Sequence, residues 1–330
     1  MPFERIAVLG AGAWGTALAN VAARPGRRVT LWSRDAALAA EMATQRENRR
    51  SLPGVALADG VVPVADHDDL AAANLILLVV PAQFLRATLE GLPALRDGVP
   101  VVLCAKGIES ASGLFMSDVV EHVRPGHLVA ALSGPSFAAD VGRGRPTAVT
   151  LAARDGDLAR VLAGALGRPG FRLYHTDDLT GVEIGGAAKN VLAIACGVAA
   201  GMDLGASAAA ALIARGFAEL GRFGRAYGAR AETLMGLSGL GDLVLTCSST
   251  QSRNFAFGRA LGTGASPGEA GATRLAEGAA TAPVLCRLAR AHGIDMPVAE
   301  AVAALLAGDT TPGEALDALL SRPSRSEAGD

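Results

Sequence analysis

Lysine is almost missing from this sequence. Of its 30 basic residues only two, Lys106 and Lys189, are lysines, and arginine supplies every other cation. Aromatic residues make up only 4% of the 330-residue chain. Half of the residues are hydrophobic, so a sizeable core is available, but it has to be packed largely by small side chains. The four cysteines, Cys104, Cys196, Cys247 and Cys286, are widely separated. Without a CxxC pair they propose neither a disulfide framework nor a zinc site, and they read as buried thiols of a cytoplasmic protein. No segment carries a basic excess, and the formal net charge is −2. That excludes the electrostatic footprint of a nucleic-acid binder. A signal peptide is not visible either, because Glu4 and Arg5 lead straight into a strand-like run. The most apolar helical stretch, Val191 to Met202, is shorter than the ~20 residues needed to cross a bilayer, so it is expected to be a buried helix rather than a membrane insertion.

The first half of the chain alternates short β-branched runs with helical stretches. Strands are expected at Arg5–Leu9, Arg28–Trp32, Leu75–Val80, Val101–Ala105, Leu128–Leu132, Thr147–Ala152 and Arg172–His175. Runs such as Leu75 to Val80 are apolar at every position, as in parallel strands covered on both faces. Strand–helix alternation of this kind implies a doubly wound α/β sheet. After about residue 180 Ala, Leu, Glu and Arg at helical spacing take over. The expected architecture is therefore an N-terminal Rossmann-type dinucleotide-binding domain, residues 1–180, and a mostly α-helical substrate-binding domain, residues 181–330. The boundary falls near Asp178–Gly181. Gly60–Pro63 and Gly262–Gly271 read as loops, and Ser321 to Asp330 as a frayed end.

The strand Ile6–Leu9 runs directly into Gly10-Ala11-Gly12-Ala13-Trp14-Gly15, and an Ala-rich helix, Thr16 to Ala23, follows. In this strand–turn–helix setting a GxGxxG sequence is a dinucleotide loop. Gly10 permits the tight turn, Gly12 lets the backbone approach a pyrophosphate, and Gly15 lets helix and strand pack closely. The helix N-terminus supplies N–H groups and positive potential. At the tip of the second strand, Ser33 and Arg34 come before Asp35. An acidic residue there binds the ribose 2′-hydroxyl of NAD, whereas an arginine accommodates the 2′-phosphate of NADP. The order favours acceptance of NADP, with use of NAD as well.

The two lysines stand out against the arginine background. Arginine stays protonated to above about pH 12 and cannot exchange a proton in neutral water. A lysine can, once burial or a neighbouring cation lowers its pKa. Lys106 follows an apolar strand at the sheet end where ligands bind in doubly wound folds. Lys189 lies inside Gly185-Gly186-Ala187-Ala188-Lys189-Asn190-Val191, where a charge is costly unless paired. None of the histidines (His67, His122, His127, His175 and His292) sits in a glycine-rich motif. A histidine acid of the lactate-dehydrogenase kind is not expected; only His175, on a strand end, comes near the junction of the two halves.

These residues resemble the bacterial NAD(P)-dependent glycerol-3-phosphate dehydrogenases over nearly the whole chain. The resemblance is carried, in order, by Gly10–Ala19, Cys104–Glu109, Ser133–Ala138, Gly185–Val191, Gly239–Cys247, Gln251–Asn254 and Glu277-Gly278. It implies interconversion of dihydroxyacetone phosphate and sn-glycerol 3-phosphate with NADPH or NADH, feeding glycerophospholipid synthesis. It also implies that Lys189 is the catalytic acid/base, and that Lys106, Gly134, Ser136, Asp242, Ser252, Arg253 and Asn254 contact the substrate. Ala13, Trp14, Arg34, Lys106, Ala138, Arg253, Leu275 and Glu277 would contact the cofactor. The sequence departs from the family pattern at Ala188, where a larger aliphatic is common, at Leu275, where valine is usual, and at Arg34, which replaces a frequent histidine.

The chemistry asks for the same parts. Hydride reduction of a ketone leaves an alkoxide, which needs a proton donor such as Lys189; Asp242, in a glycine-rich turn, could hold it, and Lys106 could share the developing charge. Ser248 to Asn254, ahead of a helix-like stretch, would form an anion site for the phosphate, with Arg253 adding a fork of donors. Two rival readings are weaker. Hydroxy-acid dehydrogenases of the same two-domain plan place an asparagine one turn after the helix lysine, where this chain has Ala193. A nucleotide-sensing repressor would usually carry a DNA-binding module, and none is evident. A homo-oligomer is expected on base rates.

Overall fold

A computed structural model describes residues 3–23, 26–271 and 276–323. Eight strands form one sheet: β1 (Arg5–Leu9), β2 (Arg28–Trp32), β3 (Val61–Val64), β4 (Leu75–Leu78), β5 (Pro100–Leu103), β6 (Leu128–Ser133), β7 (Thr147–Ala153) and β8 (Phe171–Thr176). Their order is β3-β2-β1-β4-β5-β6-β7-β8. All neighbours are parallel except β6 and β7, so the sheet is mostly rather than purely parallel. Successive side chains of a strand point to opposite faces, and here both faces are dry. Ile6, Val8, Leu75 and Leu77 enter one hydrophobic cluster, whereas Ala7, Leu9, Ile76 and Leu78 enter another. That is why these strands read as continuous apolar runs.

β3 corrects the sequence reading, which had a loop at Gly60–Pro63. Gly60 and Pro63 are turn signals in sequence, but β3 is an edge strand paired only with β2, where a missing N–H costs no ladder bond on the open side. A short helix, Pro267–Gly271, likewise lies inside the stretch expected to be a loop. The glycine-loop helix begins at Ala13 rather than Thr16. Of the C-terminal stretch expected to fray, residues 324–330 lie outside the described residues.

Beyond β8 the described elements are helical, arranged around the Leu179–Gly201 helix. Asp178 caps its start by accepting the Gly181 N–H at 2.8 Å. Its 23 residues are nearly twice the apolar length read from the sequence and long enough to cross a membrane, but 83% of its most apolar window is buried inside the fold. The helix is buried all round, which erases the amphipathic stripe that marks a surface helix.

The Arg253–Gly262 helix packs on it through glycines. A Cβ on Gly197 or Gly201 would be driven into the backbone of residues 255–262, and one on Gly258 or Gly262 into the carbonyls of Ile194 and Val198. The spacing Gly197-x-x-x-Gly201 against Gly258-x-x-x-Gly262 lets the two backbones touch, a geometry only residues without a Cβ allow. Ala in place of Gly gains about 1 kcal/mol of helix propensity, while forcing extra volume into a filled contact costs about 1–3 kcal/mol. Gly258→Ala should therefore lower the urea midpoint, whereas Gly164→Ala, at an exposed helix position where a Cβ meets nothing within 4 Å, should raise it. Equal shifts of the same sign would contradict the close-packing account.

Candidate active site

Three elements meet at the C-terminal end of the sheet. Lys106 follows β5, with Cys104 and Ala105 between. Lys189 stands midway along the Leu179–Gly201 helix and is only 5% exposed. Asp242 opens the Asp242–Cys247 helix and is 1% exposed. It follows a π-helical turn, Leu237–Gly241, which the sequence presents as a glycine-rich turn. Such π turns recur at functional sites.

Asp242 binds both lysines. Its Oδ1 lies 2.6 Å from Lys189 Nζ, and its Oδ2 lies 2.7 Å from Lys106 Nζ. Lys106 Nζ also donates to the Gly134 carbonyl at 3.2 Å. Lys189 Nζ donates to Thr246 Oγ1 at 2.9 Å, and that hydroxyl donates to the Asp242 carbonyl at 2.6 Å. Thr246 carried no role in the sequence reading; the usable signal was its place four residues after Asp242, on the same helix face.

The electrostatics follow from this geometry. Burial disfavours the charged form of Lys189 and brings its pKa down to about 8; Asp242 opposes that shift, and Lys106 adds to it. Burial pushes the Asp242 carboxyl up, but the two ammonium groups more than offset it and hold it below its ordinary value. The site thus pairs a fixed carboxylate with a lysine able to exchange a proton near neutrality.

A second polar chain fixes the backbone around Lys106. Gly278 N–H donates to Asn254 Oδ1, Asn254 Nδ2 donates to Asn190 Oδ1, and Asn190 Nδ2 donates to the Lys106 carbonyl, each at 2.9 Å. A Cβ on Gly278 would sit 2.5 Å from the Asn190 carbonyl, so glycine is required for the approach. Asn254 is therefore held among protein partners, with Asn190 a partner that lies in the Gly185–Val191 motif but carried no role in the sequence reading. Ser252 caps the Arg253–Gly262 helix, its hydroxyl accepting the Phe255 N–H at 3.2 Å. Arg253 is exposed beside them. Ser136 Oγ donates to the Gly134 carbonyl at 3.0 Å.

The dinucleotide loop lies at the topological switch point, where β1 is flanked by β2 and β4. Gly10 has φ +116°, and a Cβ there would sit 2.7 Å from the Val79 carbonyl. Gly15 packs still more tightly against the Gly10 carbonyl, while a Cβ on Gly12 would meet nothing within 4 Å. Gly12 is the N-cap of the Ala13–Ala22 helix and offers no side-chain cap. The loop is thus closed on its inner side and open at Gly12, which fits a pyrophosphate held by backbone N–H groups. Trp14 is half-buried, 6.5 Å from the Phe171 ring. Ala138 begins a short helix that packs near this loop.

At the tip of β2, Asp35 is committed elsewhere: it caps the Ala36–Gln45 helix and pairs with Arg50 at 2.9 Å. Arg34 is exposed, its guanidinium 5.9 Å from the Phe84 ring centre. Glu277, half-buried, accepts the Ala82 N–H at 3.0 Å and so joins the helical half to the loop after β4. Burial raises its pKa, and the Ala82 N–H with the charges of Arg253, Lys106 and Lys189 restrains that rise. Leu275 lies outside the described residues. His175 is exposed on the edge strand β8, and all four cysteines are buried and free.

Two family models match the chain: the NAD-dependent glycerol-3-phosphate dehydrogenase N-terminus over residues 5–159 and its C-terminus over residues 178–317. The chain belongs to the NAD-dependent glycerol-3-phosphate dehydrogenase family. It is 60% identical to the glycerol-3-phosphate dehydrogenase [NAD(P)+] of Azorhizobium caulinodans, covering 99% of each chain. It is 62% identical to the enzyme of that name from Methylobacterium radiotolerans, covering 98% of each. The crystal structure of glycerol-3-phosphate dehydrogenase from Coxiella burnetii superposes with a TM-score of 0.90 at 38% identity, covering 97% of this chain and 99% of that one. The fold of this dehydrogenase family is thus that of the present chain.

The shared counter-charge makes a direct prediction. Asp242→Asn keeps the shape but leaves two lysines facing each other without a carboxylate, a loss of about 3–5 kcal/mol by the usual cost of breaking a buried pair. Asp140→Asn, in the exposed pair with Arg145, should cost at most about 1 kcal/mol. Matching urea-unfolding losses for the two variants would remove Asp242 from the centre of the site.

Proposed function

We propose that this chain reduces dihydroxyacetone phosphate to sn-glycerol 3-phosphate, and catalyses the reverse oxidation, with NADPH or NADH. The observation that carries the mechanism is the Lys106–Asp242–Lys189 arrangement, in which one buried carboxylate holds two lysines and one of them has a pKa of about 8. The nicotinamide supplies or accepts the hydride. Lys189 gives its proton to the carbonyl oxygen as the alkoxide forms and takes one back in the other direction. Lys106 stabilises negative charge on the same oxygen, and Asp242 keeps both side chains aimed.

Arg253, with Ser252 and Asn254 at the start of the Arg253–Gly262 helix, holds the phosphate. Gly134 and Ser136, beyond the end of β6, line the substrate. Gly10, Gly12, Ala13, Trp14 and Gly15 seat the pyrophosphate. Arg34, over Phe84, takes the 2′-phosphate of NADP. Ala138, Lys106, Arg253 and Glu277 complete the cofactor contacts among the described residues. The dinucleotide-binding part is residues 1–180 and the substrate-binding part residues 181–330. The working form is a cytoplasmic homo-oligomer that feeds glycerophospholipid synthesis.

Lys189→Ala should fold and bind cofactor normally but lose ~10²–10⁴ in kcat, the range for removing a general acid. Lys189→Arg keeps the charge yet cannot release a proton near neutrality, so it should be nearly as inactive. In the wild type, ketone reduction needs the ammonium form and should fall as pH rises through about 8, while alcohol oxidation needs the free amine and should rise. A folded Lys189→Arg enzyme with near wild-type kcat in both directions would transfer the acid/base role to Lys106.

A further inference from the structure

Asn48 belongs to no motif and to no contact described so far, yet its exposure is 0%. It lies in the irregular segment between the Ala36–Gln45 helix and β3. That segment is tied to itself: Glu47 Oε1 accepts the Gly54 N–H at 2.8 Å, and Arg46 donates to the carbonyls of Val61 at 2.8 Å and Ala58 at 2.7 Å. The Asn48 carbonyl oxygens are both engaged locally, the main-chain one by Leu52 N–H at 2.8 Å and Oδ1 by Ser51 N–H at 3.1 Å. Its amide nitrogen reaches out of the segment. Nδ2 donates to the Ala11 carbonyl and to Thr16 Oγ1, both at 2.8 Å. Thr16 Oγ1 in turn donates to the Gly12 carbonyl at 2.9 Å.

The consequence follows from peptide geometry. In a planar trans peptide the C=O and the N–H point in opposite directions. The Ala11 carbonyl shares its plane with the Gly12 N–H, and the Gly12 carbonyl shares its plane with the Ala13 N–H. The Ala11 carbonyl is fixed toward Asn48, and the Gly12 carbonyl toward Thr16, whose backbone N–H at 2.9 Å and hydroxyl both bind it. This turns both N–H groups away from those partners at the uncapped start of the helix, with Asn48 setting the first peptide and reinforcing the second through the Thr16 hydroxyl. These are donors that a bound diphosphate would need. Glycine at residues 10 and 12 gives the loop freedom to place them otherwise.

We propose that Asn48 is a positioning residue for the cofactor: through Ala11 and Thr16 it orients the N–H groups of Gly12 and Ala13 toward the pyrophosphate. This rests on the reading of the Gly10–Gly15 loop as the pyrophosphate seat. Asn48 itself touches no ligand, so its effect belongs to cofactor affinity and to neither the chemical step nor the substrate.

The test measures NADPH and NADH dissociation constants by fluorescence titration, with melting temperature, kcat and the KM for dihydroxyacetone phosphate alongside. Asn48→Leu removes the two donors at similar volume. It should raise both dissociation constants by the same factor, about tenfold for a buried hydrogen-bond pair worth roughly 1.4 kcal/mol. The substrate KM and the kcat at saturating cofactor should stay within about twofold, because the contacts of an unaltered site are unchanged. Thr16→Val removes only the relay hydroxyl and gives a second, milder variant, with an expected rise of about threefold for one such bond. Gly12→Val tests the seat itself, since its backbone, at φ −74° and ψ −179°, accepts any side chain and the space beyond it is open. Unchanged dissociation constants in folded Asn48→Leu or Thr16→Val, while Gly12→Val weakens both cofactors, would overturn the positioning role alone. So would a loss confined to NADPH, which would point to the 2′-phosphate. Unchanged constants in Gly12→Val would remove the pyrophosphate seat and the proposal with it. A drop in melting temperature with unaltered affinity would make Asn48 merely structural.

Discussion

One carboxylate has to satisfy two ammonium groups at a place with little water. Taking an ion pair out of water costs several kcal/mol per ion and is repaid only by close geometry and full hydrogen bonding. Asp242 meets that condition by using each of its oxygens for a different lysine, with Thr246 and the Gly134 carbonyl taking further donors. The net positive charge left over suits a ligand that arrives with phosphate and develops an alkoxide. It also explains why two lysines survive in a chain that otherwise uses arginine. A guanidinium in the place of Lys189 would keep the charge but lose the ability to exchange a proton near neutrality.

The glycines let this ion cluster form. Gly185 and Gly186 lie on the face of the long helix just before Lys189, and a Cβ on them would press on the Ser238 carbonyl at 2.7 Å and on the Ser133 hydroxyl at 3.0 Å. The Gly197–Gly201 and Gly258–Gly262 contact draws the Arg253–Gly262 helix, and with it Asn254, onto the same helix. Gly278 does the same for the Glu277–Ala291 helix through the Asn254–Asn190 chain. Low aromatic content and abundant alanine and glycine are the compositional trace of this packing, in which backbones rather than large side chains make the contacts.

How much of this was legible depended on whether the signal was local. β1, β2, β4, β5 and β6 were readable because their interiors are buried on both faces and so form nearly continuous apolar runs, with the exposed Arg5 and Arg28 marking where β1 and β2 begin. The glycine loop was readable because a turn, a close approach and a helix start must follow one another within a few residues. The lysines were readable by contrast with the arginine background. β3 was not, because an edge strand tolerates the glycine and proline that elsewhere end strands. The extent of the Leu179–Gly201 helix was missed because burial all round removes its periodicity. Asn48 and Asn190 were missed because the distant residues that their side-chain amides join are 32 to 84 residues away, and no spacing rule connects residues that meet only in the folded chain. Thr246 differs, since its place one turn after Asp242 was a local signal, while its bond to Lys189 spans 57 residues.

The scarcity of lysine allows the central claim to be read directly. Protein labelled with ¹⁵N only in lysine carries two side-chain nitrogens, and the Lys189→Arg variant identifies which signal belongs to Lys189. On the present account, the Lys189 nitrogen titrates with a midpoint of about 8. A Lys189 signal that moves only in the ordinary lysine range, near 10.5, would contradict it.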